Sequence, residues 1–278
     1  MKSQNLLITA LVCGSILVGA ASPAFAAEPA TVKSNADVEF VEDEDGGNNE
    51  IPKPPTGGGT DPEEKPQPPV DPGENNDGKL RIDYASSFDF RTQKISATEQ
   101  TYFANVQEWK KGDTKSYTPN FVQVTDKRAG NNSKGWNLTV SMPTPLTNAA
   151  TKHELKKAKV TLVGRQINAI GSDENNLPAL VSNDGASVDI NSDAAVLMSA
   201  NAGNGWGTTQ QYFATAEGTP EDLENYKDNE VKEFDQKGNM LGLGDDAVKL
   251  TVPSGSKANT GQYSAKVVWT LNDGPANA

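Results

Sequence analysis

The chain of 278 residues contains one cysteine, Cys13, and one histidine, His153. A disulfide framework needs pairs of cysteines, and a histidine-rich metal site needs several histidines, so neither is expected. Cys13 also lies in a segment that we predict is removed on secretion, so the mature protein would have no thiol chemistry. No Gly-x-Ser-x-Gly nucleophile elbow accompanies His153, and we predict a plain surface role for it.

Basic residues are also scarce. The chain has 25 Lys and Arg against 37 Asp and Glu, which gives a formal net charge of −12. Nucleic-acid binding and attraction to an anionic membrane both require clustered Lys and Arg, so neither partner is expected. Carboxylates are abundant, but a glycosidase needs two of them at a defined separation, and no stretch resembles a hydrolase motif. We therefore predict that the protein is not an enzyme.

The first 26 residues are predicted to be a secretory signal. Lys2 supplies the positive charge, and the apolar run Leu6–Gly19 is too short to span a bilayer comfortably. An Ala-x-Ala sequence ending at Ala26 is the expected cleavage site. The protein is thus expected to be secreted without inserting into the membrane. The chain stops at Ala278 with no sorting motif or hydrophobic tail, so covalent attachment to a wall is not expected.

Three segments are predicted after the signal. Residues 27–43 contain an alternating stretch, 35–42, which we expect to form a strand that docks into the main domain. Residues 44–78 are rich in proline, glycine and acidic residues and are predicted to be an extended linker or a long loop. Whether this segment is a wall-spanning spacer or a solvated loop stays open. Residues 79–278 are predicted to form the main domain.

The main domain consists of many short alternating stretches separated by turns rich in Asn, Asp, Ser and Gly. One such turn, 128–134, predicts a hairpin between Phe121–Thr125 and Trp136–Met142. Capping signals predict one short helix, 220–228. The pattern favours an all-β fold: a Greek-key-like sandwich or irregular barrel with long loops and at most one or two short helices.

Two predicted strands carry the same Trp-x-Leu spacing. The first has Trp136 and Leu138, and the second has Trp269 and Leu271. Residues two apart lie on the same face of a strand. The second copy belongs to an alternating stretch, 263–271, that predicts one buried face.

These motifs, with the Tyr-x5-Trp-Thr-Leu-x3-Pro context of the second, resemble the WxL domain of Gram-positive surface proteins. The resemblance extends from Asn35 to Pro275, and Gly244–Pro253 is similar to the penultimate strand of that family. It implies a secreted, largely all-β protein whose cell-wall-binding domain, at residues 79–278, associates non-covalently with peptidoglycan. It also implies an alternative: a subunit of a surface complex, or an adhesin, that binds a membrane-anchored partner or a host matrix protein.

The four tryptophans are candidate glycan contacts, because sugars stack their C–H faces on exposed aromatic rings. Trp136 and Trp269 alternate with leucines, so their rings either fill the core or contact the wall directly, and both alternatives stay open. Trp109 lies among charged residues and Trp206 in a glycine-rich loop. We expect both of these to be exposed aromatic contacts.

One stretch, Asp189–Asp193, matches the opening of a calcium loop. Ala194 stands where the loop needs glycine, and Ala200 stands where it needs a bidentate glutamate. We therefore predict a polar loop there, and no metal or cofactor.

Overall fold

A computed structural model divides the chain into Met1–Val41 and Glu42–Ala278. The structure describes residues 38, 65–67, 78–128, 133–170, 174–181, 187–214 and 245–276. The predicted signal with its cleavage site at Ala26 and the helix at 220–228 lie outside the described residues. So does the strand at 35–42, apart from the exposed Val38. No helix among the described residues is long and apolar enough to cross a membrane.

The described part of Glu42–Ala278 is built from strands, with a single 3₁₀ turn at Glu174–Asn176. The prediction of an all-β fold is therefore confirmed. In chain order the strands are β1 (Lys65–Gln67), β2 (Leu80–Ala85), β3 (Gln100–Ala104), β4 (Gln107–Lys111), β5 (Thr114–Thr118), β6 (Phe121–Asp126), β7 (Trp136–Ser141), β8 (Thr147–Asn148), β9 (Lys159–Val163), β10 (Arg165–Ile170), β11 (Ala179–Leu180), β12 (Ser187–Ile190), β13 (Ala195–Ala200), β14 (Gly207–Phe213), β15 (Asp245–Val252), β16 (Tyr263–Ser264) and β17 (Val268–Asp273).

The strands form three four-stranded antiparallel sheets and two smaller ones. We call the sheet of order β11-β13-β7-β17 the motif sheet, because it contains both Trp-x-Leu strands. The other four-stranded sheets have the orders β10-β14-β6-β2 and β12-β9-β15-β3. The smaller sheets are β1-β4-β5 and β16-β8. Strand β17 at the edge of the motif sheet packs against β2 of the neighbouring sheet.

The main core lies where these sheets face one another. Buried aliphatic side chains of β7 meet those of β6, β9, β13 and β15; examples are Leu138, Val124, Leu162, Leu197 and Val248. A separate aromatic cluster lies beside the three-stranded sheet and contains Tyr84, Trp109, Phe121 and Tyr212. Burial of large apolar side chains at these two places provides most of the driving force for folding.

The predicted hairpin between the strands at Phe121 and Trp136 is wrong. Strand β6 lies between β14 and β2, whereas β7 lies between β13 and β17, in another sheet. Both edges of β6 are occupied, so its chain neighbour cannot pair with it. The Gly- and Asn-rich turn was identified correctly, but such a turn carries the chain to another sheet as readily as to an adjacent strand.

Part of the proline-rich segment forms a strand that the sequence did not predict. Residues Lys65–Gln67 form β1 and pair with β4, with Pro66 opposite Trp109. The side chain of Gln107 donates a hydrogen bond from Nε2 to the carbonyl of Gln67 at 2.8 Å. Strand β1 is at the edge of its sheet, where the missing N–H of proline is tolerated.

Candidate functional site

The two Trp-x-Leu strands are direct neighbours. Strands β7 and β17 pair antiparallel, with Leu138 opposite Leu271, Trp269 opposite Val140, and Trp136 opposite Asp273. The two leucines therefore meet at the centre of the ladder, and the two tryptophans lie on either side of them. Motifs more than 130 positions apart in the chain form one element of the structure.

The first motif lies in the core. Trp136 and Leu138 are fully buried, at 0% exposure. The indole Nε1 of Trp136 donates a hydrogen bond of 3.0 Å to the carbonyl of Gly205. A Cβ at Gly205 would lie 2.7 Å from that nitrogen, and the residue has a φ of +71°, so only glycine fits there. Of the two alternatives for Trp136, the structure thus supports the core position, where the ring holds the loop before β14.

The second motif lies at the margin of the core. Trp269 and Leu271 are each half-buried on the edge strand β17. The ring of Trp269 packs edge-on against Phe88, with centroids 6.3 Å apart. Burial alternates from residue 263 to 271 as predicted, although the hydrogen-bonded strand is interrupted between β16 and β17.

The guanidinium of Arg128 joins the ends of the two motif strands. It binds both oxygens of the buried Asp126, at 2.9 and 2.8 Å, and it also pairs with Asp273 at the end of β17. Its Nη2 donates to the carbonyl of Gly135, which also accepts the backbone N–H of Gly274. These carboxylates, Asp126 foremost, raise the pKa of Arg128. The last strand is therefore fixed to the start of the first motif.

Two asparagines continue this connection. The Asn137 amide donates to the carbonyl of Gly274 at 2.9 Å, and the Asn272 amide donates to Oδ1 of Asn137 at 3.0 Å. Asn272, Asp273 and Gly274 follow Leu271 directly; Asn272 bonds to Asn137, Gly274 bonds to Gly135, and Asp273 lies opposite Trp136 in the ladder. The residues after the second motif thus have a structural role.

Trp206 stands exposed at this same end of the ladder. Its side chain is 54% exposed, and its Nε1 donates a hydrogen bond of 2.8 Å to the carbonyl of Arg128. The ring is thus oriented by the residue that joins the motif strands. Arg128 also pairs with Asp273, whose side chain is 58% exposed. We call Trp206, Arg128 and Asp273 the Trp206 surface. The prediction that Trp206 is exposed is confirmed.

The corresponding expectation for Trp109 is wrong. Trp109 is fully buried, stacks on Phe121 with centroids 5.5 Å apart, and donates a hydrogen bond of 2.8 Å from Nε1 to Oγ1 of Thr118. Its charged neighbours Glu108 and Lys110 lie on the opposite face of β4. Adjacent residues of a strand point to opposite sides, so charged neighbours are compatible with a buried ring.

The predicted polar loop begins with a carboxylate that is engaged within its sheet. Asp189 on β12 accepts hydrogen bonds from Oγ1 of Thr161 at 2.7 Å and from Nζ of Lys159 at 3.0 Å. These bonds, the one from Thr161 first, lower the pKa of Asp189. In the part of the chain that the structure describes, no three His, Cys, Asp or Glu side chains lie close enough to hold a metal ion.

Residues 27–275 match the sequence model of a family described as WxL domain, surface cell wall-binding. The match covers nearly the whole chain, so the protein belongs to the WxL domain family, as the two motifs predicted. No curated protein and no solved structure matches the chain. Membership identifies the chain as a protein of the cell surface that associates with the cell wall.

Proposed function

We propose that the protein is a non-catalytic surface protein that binds peptidoglycan non-covalently through the Trp206 surface. The observation that carries this proposal is the contrast among the four tryptophans. Trp109 and Trp136 are fully buried, Trp269 is half-buried, and Trp206 is more than half exposed. Tryptophan is enriched at interfaces because it combines a large apolar ring with a polar N–H, and here a hydrogen bond within the protein holds the ring in place.

The chemistry of the surface suits a glycan. The flat C–H face of an amino sugar can stack on the Trp206 ring, while hydroxyl and N-acetyl groups bond to Asp273 and Arg128. The hydrogen bond to the Arg128 carbonyl orients the ring before binding, so little rotational entropy remains to be lost. Arg128 is paired with two carboxylates, which favours hydrogen bonding to a neutral ligand over capture of a free anion.

In this account the Trp-x-Leu motifs position the contact and do not form it. Trp136 of the first motif binds the carbonyl of Gly205, the residue before Trp206. Asp273, two residues after the second motif, binds Arg128, whose carbonyl holds the Trp206 ring. The motif pair is thus a support for one exposed loop.

The proposal that the protein is not an enzyme rests on the same geometry. The two carboxylates of this region, Asp126 and Asp273, both bind Arg128. A glycosidase needs two carboxyl groups that face the scissile bond of its substrate, and these two face one guanidinium instead.

A protein partner is the second candidate. Strand β17 ends the motif sheet and, among the described strands, pairs only with β7. An edge strand can accept a further strand from another chain, and Val268 on it is 39% exposed. In this alternative a membrane-anchored surface protein or a host matrix protein would bind at β17.

Co-sedimentation with purified, protein-free peptidoglycan separates the two candidates. We expect the purified protein to sediment, a folded Trp206→Ala variant to stay in solution, and Ile95→Ala to sediment normally. Ile95 is a matched control because it is 57% exposed and is not part of the Trp206 surface. If the folded wild-type protein does not sediment, the peptidoglycan proposal is wrong and the partner at β17 becomes the better candidate.

A further inference from the structure

The opposite end of the β7–β17 ladder carries a concentration of lysines. The segments 149–158 and 253–267 contain one acidic residue, Glu154, and five lysines. All five are exposed, and we call them the lysine face: Lys152, Lys156, Lys157, Lys257 and Lys266. With five positive charges and one negative, these segments have a net positive charge, whereas the whole chain has a formal net charge of −12.

Hydrogen bonds lock these two segments together. The Asn259 amide donates to Oγ1 of Thr151 at 3.1 Å, and the Tyr263 hydroxyl hydrogen-bonds with Nδ1 of His153 at 2.9 Å. Strands β8 and β16 pair beneath them. Lys152 lies between Thr151 and His153, and Lys257 lies two residues before Asn259. The lysines are therefore held on adjoining loops, although about a hundred positions separate the segments.

Two of these lysines occupy backbone conformations that disfavour them. Lys152 has a φ of 59° and Lys257 a φ of 50°. Among the described non-glycine residues only Arg91 shares this left-handed region. Glycine or asparagine adopts it at lower cost. Local folding therefore does not explain why these positions are lysine.

Most of these ammonium groups are available to a ligand. Lys156 contacts Glu154 at 3.3 Å, but none of the ion pairs formed within the described part of the chain involves Lys152, Lys157, Lys257 or Lys266. By contrast, Lys159 pairs with Asp189 and Lys115 with Glu108. Asp126 and Asp273 lie at the other end of the ladder, which is five residue steps away, roughly 17 Å at about 3.3 Å per step. That exceeds the screening length of about 8 Å at physiological salt, so Asp126 and Asp273 do not neutralise the lysine face.

We propose that the lysine face binds an anionic phosphodiester polymer of the cell wall. Lysine is a compact charge on a flexible stem that pairs with phosphate without a preset geometry. Several lysines spread over a surface suit a chain that repeats its phosphates better than a single anion. Such contacts release counterions, so the affinity should fall steeply with salt. The acidic remainder of the protein repels the polymer and thereby directs it to this face.

This proposal shares wall association with the preceding one but uses another ligand and the other end of the ladder. The two proposals can therefore fail separately.

The assay uses sacculi with their phosphodiester polymers intact and sacculi from which hydrofluoric acid has removed them. The test variant is Lys152→Asn/Lys157→Gln/Lys257→Asn, because asparagine removes the charge and tolerates positive φ. The control, Lys65→Gln/Lys110→Gln/Lys115→Gln, removes the same charge from exposed lysines of the β1-β4-β5 sheet. Circular dichroism verifies that each variant is folded.

At low salt we expect the test variant to bind intact sacculi roughly tenfold more weakly than wild type, and the control to bind normally. Added salt should abolish the difference, and acid-treated sacculi should bind wild type and test variant equally. Linear polyphosphate should bind the wild type and not the test variant.

If the test variant lost as much binding to treated sacculi as to intact sacculi, the lysines would be assigned to peptidoglycan carboxylates, which would overturn the proposal. An equal loss in the control, or no loss in the test variant, would also overturn it. If Trp206→Ala does not bind treated sacculi, that result bears on the peptidoglycan proposal alone.

Discussion

The two copies of the Trp-x-Leu motif share one ladder but differ in what surrounds them. Strand β7 has a neighbour on each side, and its tryptophan is fully buried with its ring nitrogen bonded to Gly205. Strand β17 is at the edge, and its tryptophan is half-buried against Phe88. Position in the sheet therefore sets the role of each copy. The first is a core anchor for a loop, and the second closes the margin of the core.

The largest effect is expected for Trp136→Ala. Removing a fully buried tryptophan should lower the free energy of unfolding by about 3–5 kcal/mol, and it leaves the Gly205 carbonyl without its donor. Urea unfolding monitored by circular dichroism measures the loss. Trp136→Phe should recover part of it by refilling the volume. If Trp269→Ala cost more than Trp136→Ala, the comparison of the two motifs would be incorrect.

A somewhat smaller effect is expected for Arg128→Ala. The variant leaves the fully buried carboxylate of Asp126 without its cation, which typically costs about 3 kcal/mol. Asp273→Asn removes only the exposed partner and should cost less than about 1 kcal/mol. Urea unfolding of both variants tests this, and equal costs would contradict the assignment of Asp126 as the main partner.

The paired leucines give the most closely matched test of the comparison. Leu138 and Leu271 lie opposite each other in the ladder, so Leu→Ala removes the same atoms at the same position along the two strands. We expect about 3 kcal/mol for the buried Leu138 and about half of that for Leu271. Equal losses in urea unfolding would mean that the edge strand is as well packed as the centre.

The sequence could predict which face of a strand is buried, but not which strands pair with each other. Alternation from 263 to 271 indicated which side chains are buried, and the two motifs identified the family. Pairing of β7 with β17 was not predictable, because period-two alternation says nothing about which strand lies alongside. This explains the error over the hairpin after Phe121, since the turn signal was local and the true neighbours are distant.

The candidate site could likewise be predicted only in part from the sequence. Burial of Trp109 could have been predicted, because Glu108 and Lys110 flank it at the spacing of a strand with one charged face. The Trp206 surface and the lysine face could not, because each combines segments that only the folded chain brings together. The net charge of −12 also concealed a cluster of lysines.

The smallest expected change in stability belongs to Trp206→Ala, and it is also the most direct test of the central claim. The ring is more than half exposed, so its removal should shift unfolding by less than about 1 kcal/mol. The measurement is co-sedimentation of Trp206→Ala and Trp269→Ala with protein-free peptidoglycan under conditions in which both are folded. The account predicts that Trp206→Ala no longer sediments while Trp269→Ala does. Normal sedimentation of Trp206→Ala together with loss by folded Trp269→Ala would contradict it, because the second motif would then be the contact.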